Sequence, residues 1–130
     1  MTAVDTNLLV RLLTRDDEAQ YQKAVAAFGG VEVLIPATVW LETEWVLRYA
    51  YGFDVARIAM TFRNVLGLPN VHTPEAGRIL TALEWHQQGL DFADALHLAS
   101  SQDAEVFLTF DQEFVRKANT FGRCHVTQPK

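Results

Sequence analysis

The stretch Thr2-Ala3-Val4-Asp5-Thr6-Asn7-Leu8-Leu9-Val10-Arg11-Leu12-Leu13 sets the class of fold. It reads as a short apolar strand, Thr2 to Val4, that stops at Asp5 and feeds a helical run from Asn7 to Leu13. The same alternation repeats outward from it. Asp16-Asp17-Glu18 opens a second helix that ends before Gly29-Gly30, since acids suit a first turn and glycine a helix end. Val31 to Ile35 is β-rich and stops at Pro36, and Ala37 to Tyr51 follows as a long helix closed by Gly52. Asp54 to Leu66 is another helix, closed by Gly67 and Pro69. Val71 to Thr73 is a minimal third strand, and Pro74 at a first helical position begins a helix to about Gln88. Asp91 opens a helix to about Asp103, Val106 to Thr109 is expected as a buried strand, and Asp111 opens a last helix to about Asn119. Arg123 to Val126 reads as an edge strand. Strands that alternate with helices need crossover connections and form parallel sheets. The expected fold is α/β, a three-layer α/β/α sandwich with a short-stranded central parallel sheet, in a single domain over residues 1–130.

Composition bounds the chemistry. The chain has 130 residues, 49% of them hydrophobic, which is enough for a core of its own. A single cysteine, Cys124, excludes an internal disulfide and any multi-cysteine metal site. The N-terminus lacks a basic leader, and no apolar run approaches the roughly 20 residues of a membrane span, so a cytoplasmic protein is expected, with no membrane partner. Lys and Arg number 11 against 16 Asp and Glu, a net charge of −5. That balance excludes a tight, charge-driven, non-specific nucleic-acid binder.

In open parallel sheets, ligands sit beyond the carboxyl ends of the strands. Asp5 follows the first strand directly, Asp111 lies just past the fourth, and Asp91 and Asp94 open the helix between them. Each acid has a plain alternative as a helix cap or first-turn residue. Glu42 is different. Its helical neighbours are Thr38, Val39, Trp45 and Val46, none of them cationic, whereas Glu44 has Arg48 four residues on, the spacing of an exposed ion pair. Glu42 is therefore either a solvated rim residue or a ligand for a cation from elsewhere. If Asp5, Glu42, Asp94 and Asp111 converge, each pair about 5 Å apart repels by roughly 3 kcal/mol at an effective dielectric of 20. An all-oxygen set of this kind selects a hard cation, Mg2+ or Mn2+. Such a cation activates water and stabilises phosphoryl transfer.

Four segments together resemble the PIN-domain family, and within it the VapC-type toxins of bacterial toxin–antitoxin pairs. They are Val4-Asp5-Thr6-Asn7-Leu8-Leu9, Leu41-Glu42-Thr43-Glu44-Trp45-Val46-Leu47, Asp91-Phe92-Ala93-Asp94-Ala95-Leu96 and Leu108-Thr109-Phe110-Asp111-Gln112-Glu113-Phe114. Their order, over nearly the whole chain, carries the resemblance. It implies a Mg2+- or Mn2+-dependent endoribonuclease that cleaves single-stranded or structured RNA to a 5′-phosphate and a 3′-hydroxyl. Asp5, Glu42, Asp94 and Asp111 would hold the metal and the attacking water, with Thr6, Asn7 and Thr109 supporting them by hydrogen bonds. Asp91 would cap its helix or join the site. A homodimer and a co-encoded antitoxin that blocks the site are also implied.

Arg11, Arg15, Arg48, Arg116 and Lys117 are candidate phosphate contacts at the rim, against the plain reading of a solvated surface. Eight of the 11 basic residues are Arg, the side chain suited to bidentate phosphate contact. His97 shares a helix face with Asp94, but no second His stands at ligand spacing. Trp40, Trp45, Tyr49, Tyr51 and Phe53 are core or interface residues. Two other functions compete. A phosphohydrolase of the haloacid-dehalogenase type would need an acid where Asn7 stands, and a receiver-like phosphotransfer domain would need a lysine after a late strand. A catalytically silent binding module would not need all four acids. Setting those four aside as metal ligands leaves 12 acids against 11 basic residues, close to neutral.

Overall fold

A computed structural model describes residues 1–130. The chain divides into two compact units, Met1–Ala76 and Gly77–Lys130.

In the first unit, β1 (Thr2–Ala3), β2 (Val33–Leu34) and β3 (Val71–His72) form a parallel sheet in that order. Thr2 lies opposite Val33 and Val33 opposite Val71. The helices are α1 (Thr6–Thr14), α2 (Glu18–Phe28), α3 (Ala37–Tyr51) and α4 (Val55–Leu66). Asp5, Asp17 and Asp54 each accept a hydrogen bond from the backbone N–H three residues on, which starts α1, α2 and α4. α3 ends at Gly52, whose φ of 67° is the left-handed cap that glycine adopts without strain. The start of α3 is fixed to the sheet by side chains. Trp40 Nε1 donates to Thr73 Oγ1 at 2.9 Å, and Thr73 Oγ1 donates to the Ile35 carbonyl at 2.9 Å. Trp40 is fully buried and meets Phe62 of α4 edge to face.

The second unit holds α5 (Ala76–Gln87), which begins at the boundary, α6 (Phe92–Ala99), β4 (Val106–Leu108), α7 (Gln112–Ala118) and β5 (His125–Thr127). β4 and β5 pair in parallel. Asn119 fixes β5 by bonding both the N–H and the carbonyl of Val126. Gln102 joins the end of α6 to the turn before β5, donating to the Leu98 carbonyl and accepting from the Arg123 N–H. Buried His86 donates from Nδ1 to the Leu90 carbonyl, 2.8 Å away, and packs edge-on to Phe92.

The α/β class and the short parallel strands are as expected. Several boundaries are not. β2 and β3 are two residues each, because only that many pair in register. α5 starts at Ala76 and not at Pro74, since Glu75 between them has a φ of 56° that no helix continues. α6 stops at Ala99, where Ser100 caps it, and the last strand is shifted to His125–Thr127. The strand expected to be buried, Val106 to Thr109, has Val106 48% and Leu108 59% exposed, because β4 pairs on one side only and turns Phe107 alone onto Phe114.

Candidate active site

Parallel pairing of β1 and β2 puts their carboxyl ends at one edge of the sheet. The chain that follows each therefore arrives at the same place: Asp5 two residues behind β1, and the first turns of α3 behind β2. Asp5, Thr6, Asn7, Thr38, Val39 and Glu42 line one open recess there, of about 360 Å³. Asp5 spends one carboxylate oxygen on the Leu8 N–H at 3.0 Å, and its other oxygen has no hydrogen-bond partner. Glu42 is exposed and makes no ion pair. The two carboxylates expected from sequence thus share a polar recess, with hydroxyl and amide groups around them. Thr6 and Asn7 form its wall and do not bond to either acid.

The helix offers one correction. Glu44, read as the exposed member of an ion pair, is only 1% exposed, and Arg48 meets it with Nε at 2.7 Å and Nη2 at 3.2 Å. Glu42, left open as a solvated rim residue or a cation ligand, is at the rim. Two residues apart on a helix is about 200° of rotation, so burying one glutamate exposes the other.

In the second unit, Asp91 caps α6 through a long bond from the Asp94 N–H, 3.4 Å. Asp111 caps α7, accepting from the Phe114 N–H at 3.1 Å, and its own N–H donates to Thr109 Oγ1 at 3.0 Å. Thr109 supports the acid by fixing its backbone. The Asp94 carboxyl is held above the usual carboxylate range, first by burial and then by the charges of Asp91 and Asp111, with His97 opposing. No group of three or more Asp, Glu, His or Cys side chains is gathered at metal-ligand distance.

One family model, the PIN domain, matches residues 2–119. The chain belongs to the PIN-domain family. No curated protein matches it. PIN domains are typically metal-dependent nucleases and in general bind RNA and divalent ions. The matched span contains all four acids and crosses both units.

The cations of this PIN domain are mostly engaged. Arg11 bonds to Asp16, Gln20 and the Tyr51 hydroxyl, Arg15 to Glu18, Arg48 to Glu44, and Arg116 to Glu113. Arg15, with Gln22 assisting, pulls Glu18 down to about 2. Lys117 reaches the Gly89 carbonyl and lies 3.9 Å from Glu113. Lys23 of α2 has no acid partner, and with Gln20 it lines a second recess that also touches Asp5. Sequence reading passed over both residues. The signal was present: Lys23 has Ala19, Gln20, Ala26 and Ala27 at the helical neighbour positions, and no acid. No helix of the chain is long and apolar enough to cross a membrane.

Proposed function

We propose that this PIN domain is a Mg2+- or Mn2+-dependent endoribonuclease, acting in the cytoplasm as the toxin of a toxin–antitoxin pair. One observation carries the nuclease reading: Asp5 and Glu42, neither ion-paired, face one open recess at the carboxyl end of parallel strands. Asp94 and Asp111 complete the ligand set in this proposal, and Asp91 acts chiefly as the cap of α6. The residues fit a hard cation. They are all oxygen donors, and the Asp94 carboxyl is held above its usual range by burial first and then by the charges of Asp91 and Asp111. When bound, the cation supplies charge stabilisation for phosphoryl transfer and activation of water.

The chain's own residues do the rest. The α1 cap engages one Asp5 oxygen with the Leu8 N–H and leaves the other for a ligand. Thr38, Thr6 and Asn7 keep the recess polar and able to bond water or a sugar hydroxyl. Thr109 sets the backbone from which Asp111 projects. Trp45 and Tyr49, 57% and 64% exposed with ring centroids 5.0 Å apart and planes tilted by 46°, offer an aromatic surface suited to a second copy or to the antitoxin.

The test is cleavage of single-stranded RNA with Mg2+ or Mn2+, with and without EDTA, beside Asp5→Asn. Cleavage that needs the metal and Asp5, and leaves a 5′-phosphate, is expected. Cleavage that survives both EDTA and the substitution overturns the assignment. A short upstream reading frame with a DNA-binding fold, and a dimer in sedimentation that weakens in Trp45→Ala, are the expected marks of the toxin reading.

A further inference from the structure

A second recess, of about 260 Å³, lies between α1 and α2 and is lined by Asp5, Asn7, Leu8, Arg11, Gln20, Lys23 and Ala24. It shares Asp5 and Asn7 with the acidic recess, so the two meet across that turn. Its composition differs. Leu8 and the buried Ala24 give an apolar floor, and the rim carries a cation and an amide. Arg11 is tied: its Nη1 donates to Asp16 and Tyr51, and its Nε donates to Gln20 Oε1 at 2.6 Å. That bond fixes the Gln20 amide with its oxygen toward Arg11, which leaves the Nε2 hydrogens for something else. Lys23 makes no ion pair, so its charge is not cancelled within the chain.

We propose that this recess seats the nucleotide next to the reacting phosphate, Lys23 meeting its phosphate and the Gln20 amide its base. The proposal rests on the ribonuclease reading and names the residues that position the RNA. It also accounts for how an acidic chain holds a polyanion at this face: one uncancelled lysine stands beside the acids that take the cation.

The experiment measures binding of a fluorescent single-stranded RNA across a salt series, in an Asp111→Asn background that keeps the RNA intact. Asp111 lines neither recess. Lys23→Ala is expected to lower the slope of log K against log salt by about 0.7, the value of one single-strand phosphate contact. Arg57→Gln, which removes an exposed cation of α4 that lies over Phe53, is expected to leave the slope unchanged. Equal slopes in the two variants overturn the subsite while cleavage by the unmutated chain keeps the nuclease reading. If the unmutated chain neither binds nor cleaves RNA, both fall. Gln20→Ala is expected to narrow the spread of cleavage rates among homopolymers by roughly 2- to 10-fold, the worth of a hydrogen bond. An unchanged spread overturns the base contact.

Discussion

Asp5 has two tasks that substitution can separate. As the α1 cap it needs one acceptor oxygen, and Asn caps as well as Asp. As a metal ligand it needs charge. Asp5→Asn is therefore expected to melt within about 0.5 kcal/mol of the parent while losing activity by about 100-fold or more, whereas Asp5→Ala also loses about 1 kcal/mol of stability. Chemical denaturation beside RNA cleavage checks both. Asp94 makes the opposite case. Its carboxyl titrates above its ordinary range, so the folded state favours the neutral form. The cost is absent below the unfolded pKa and is fully present above the folded one. Asp94→Asn in EDTA is expected to raise Tm at pH 7, and the gain should close as pH falls through the usual carboxylate range. The sequence placed Asp5, Asp94 and Asp111 at strand ends or helix starts and Glu42 inside the helix after the second strand, because connection order alone dictates that much. It could not show that Asp94 is partly buried, which depends on what packs over α6.

At the scale of the element, α3 shows where reading a helix from its own sequence stops. Spacing identified the Glu44–Arg48 pair, and the pair exists. Glu44 was expected to be exposed and is buried, because i and i+4 neighbours do not reveal what the sheet and α4 cover. With Glu44 1% exposed, Arg48 provides the charge that makes its burial tolerable. Arg48→Ala is expected to cost about 1.5–3 kcal/mol, since it removes hydrogen bonds to a charged group out of water. A loss under 0.5 kcal/mol in urea denaturation would show the pair to be dispensable. The strand lengths were misjudged for a similar reason. Apolar runs such as Val31 to Ile35 mark what can be buried, while pairing in register, which a single strand does not contain, limits β2 to Val33–Leu34. α1, α2 and α4 were the most legible elements, because Asp5, Asp17 and Asp54 supply their own start signals.

For the molecule as a whole, the net charge of −5 is the sum of two unlike sets. Arg15, Arg48 and Arg116 meet acids of their own turn or the next, so they contribute little field at a distance. In the proposed site, Asp5, Glu42, Asp94 and Asp111 keep theirs until a cation arrives. Divalent metal is therefore expected to raise Tm by mass action, on the order of 2.7 kcal/mol at one hundred times Kd, and a flat response across millimolar Mg2+ would mark the acids as caps alone. The same four acids come from both compact units, within a single PIN match. Mn2+ titration by calorimetry on the unmutated chain and on Asp5→Asn, Glu42→Gln, Asp94→Asn and Asp111→Asn tests whether they serve as one ligand set. Each substitution should weaken binding by about tenfold or more, near 1.4 kcal/mol. Binding that depends on the acids of one unit only, or that all four substitutions leave unchanged, would contradict it.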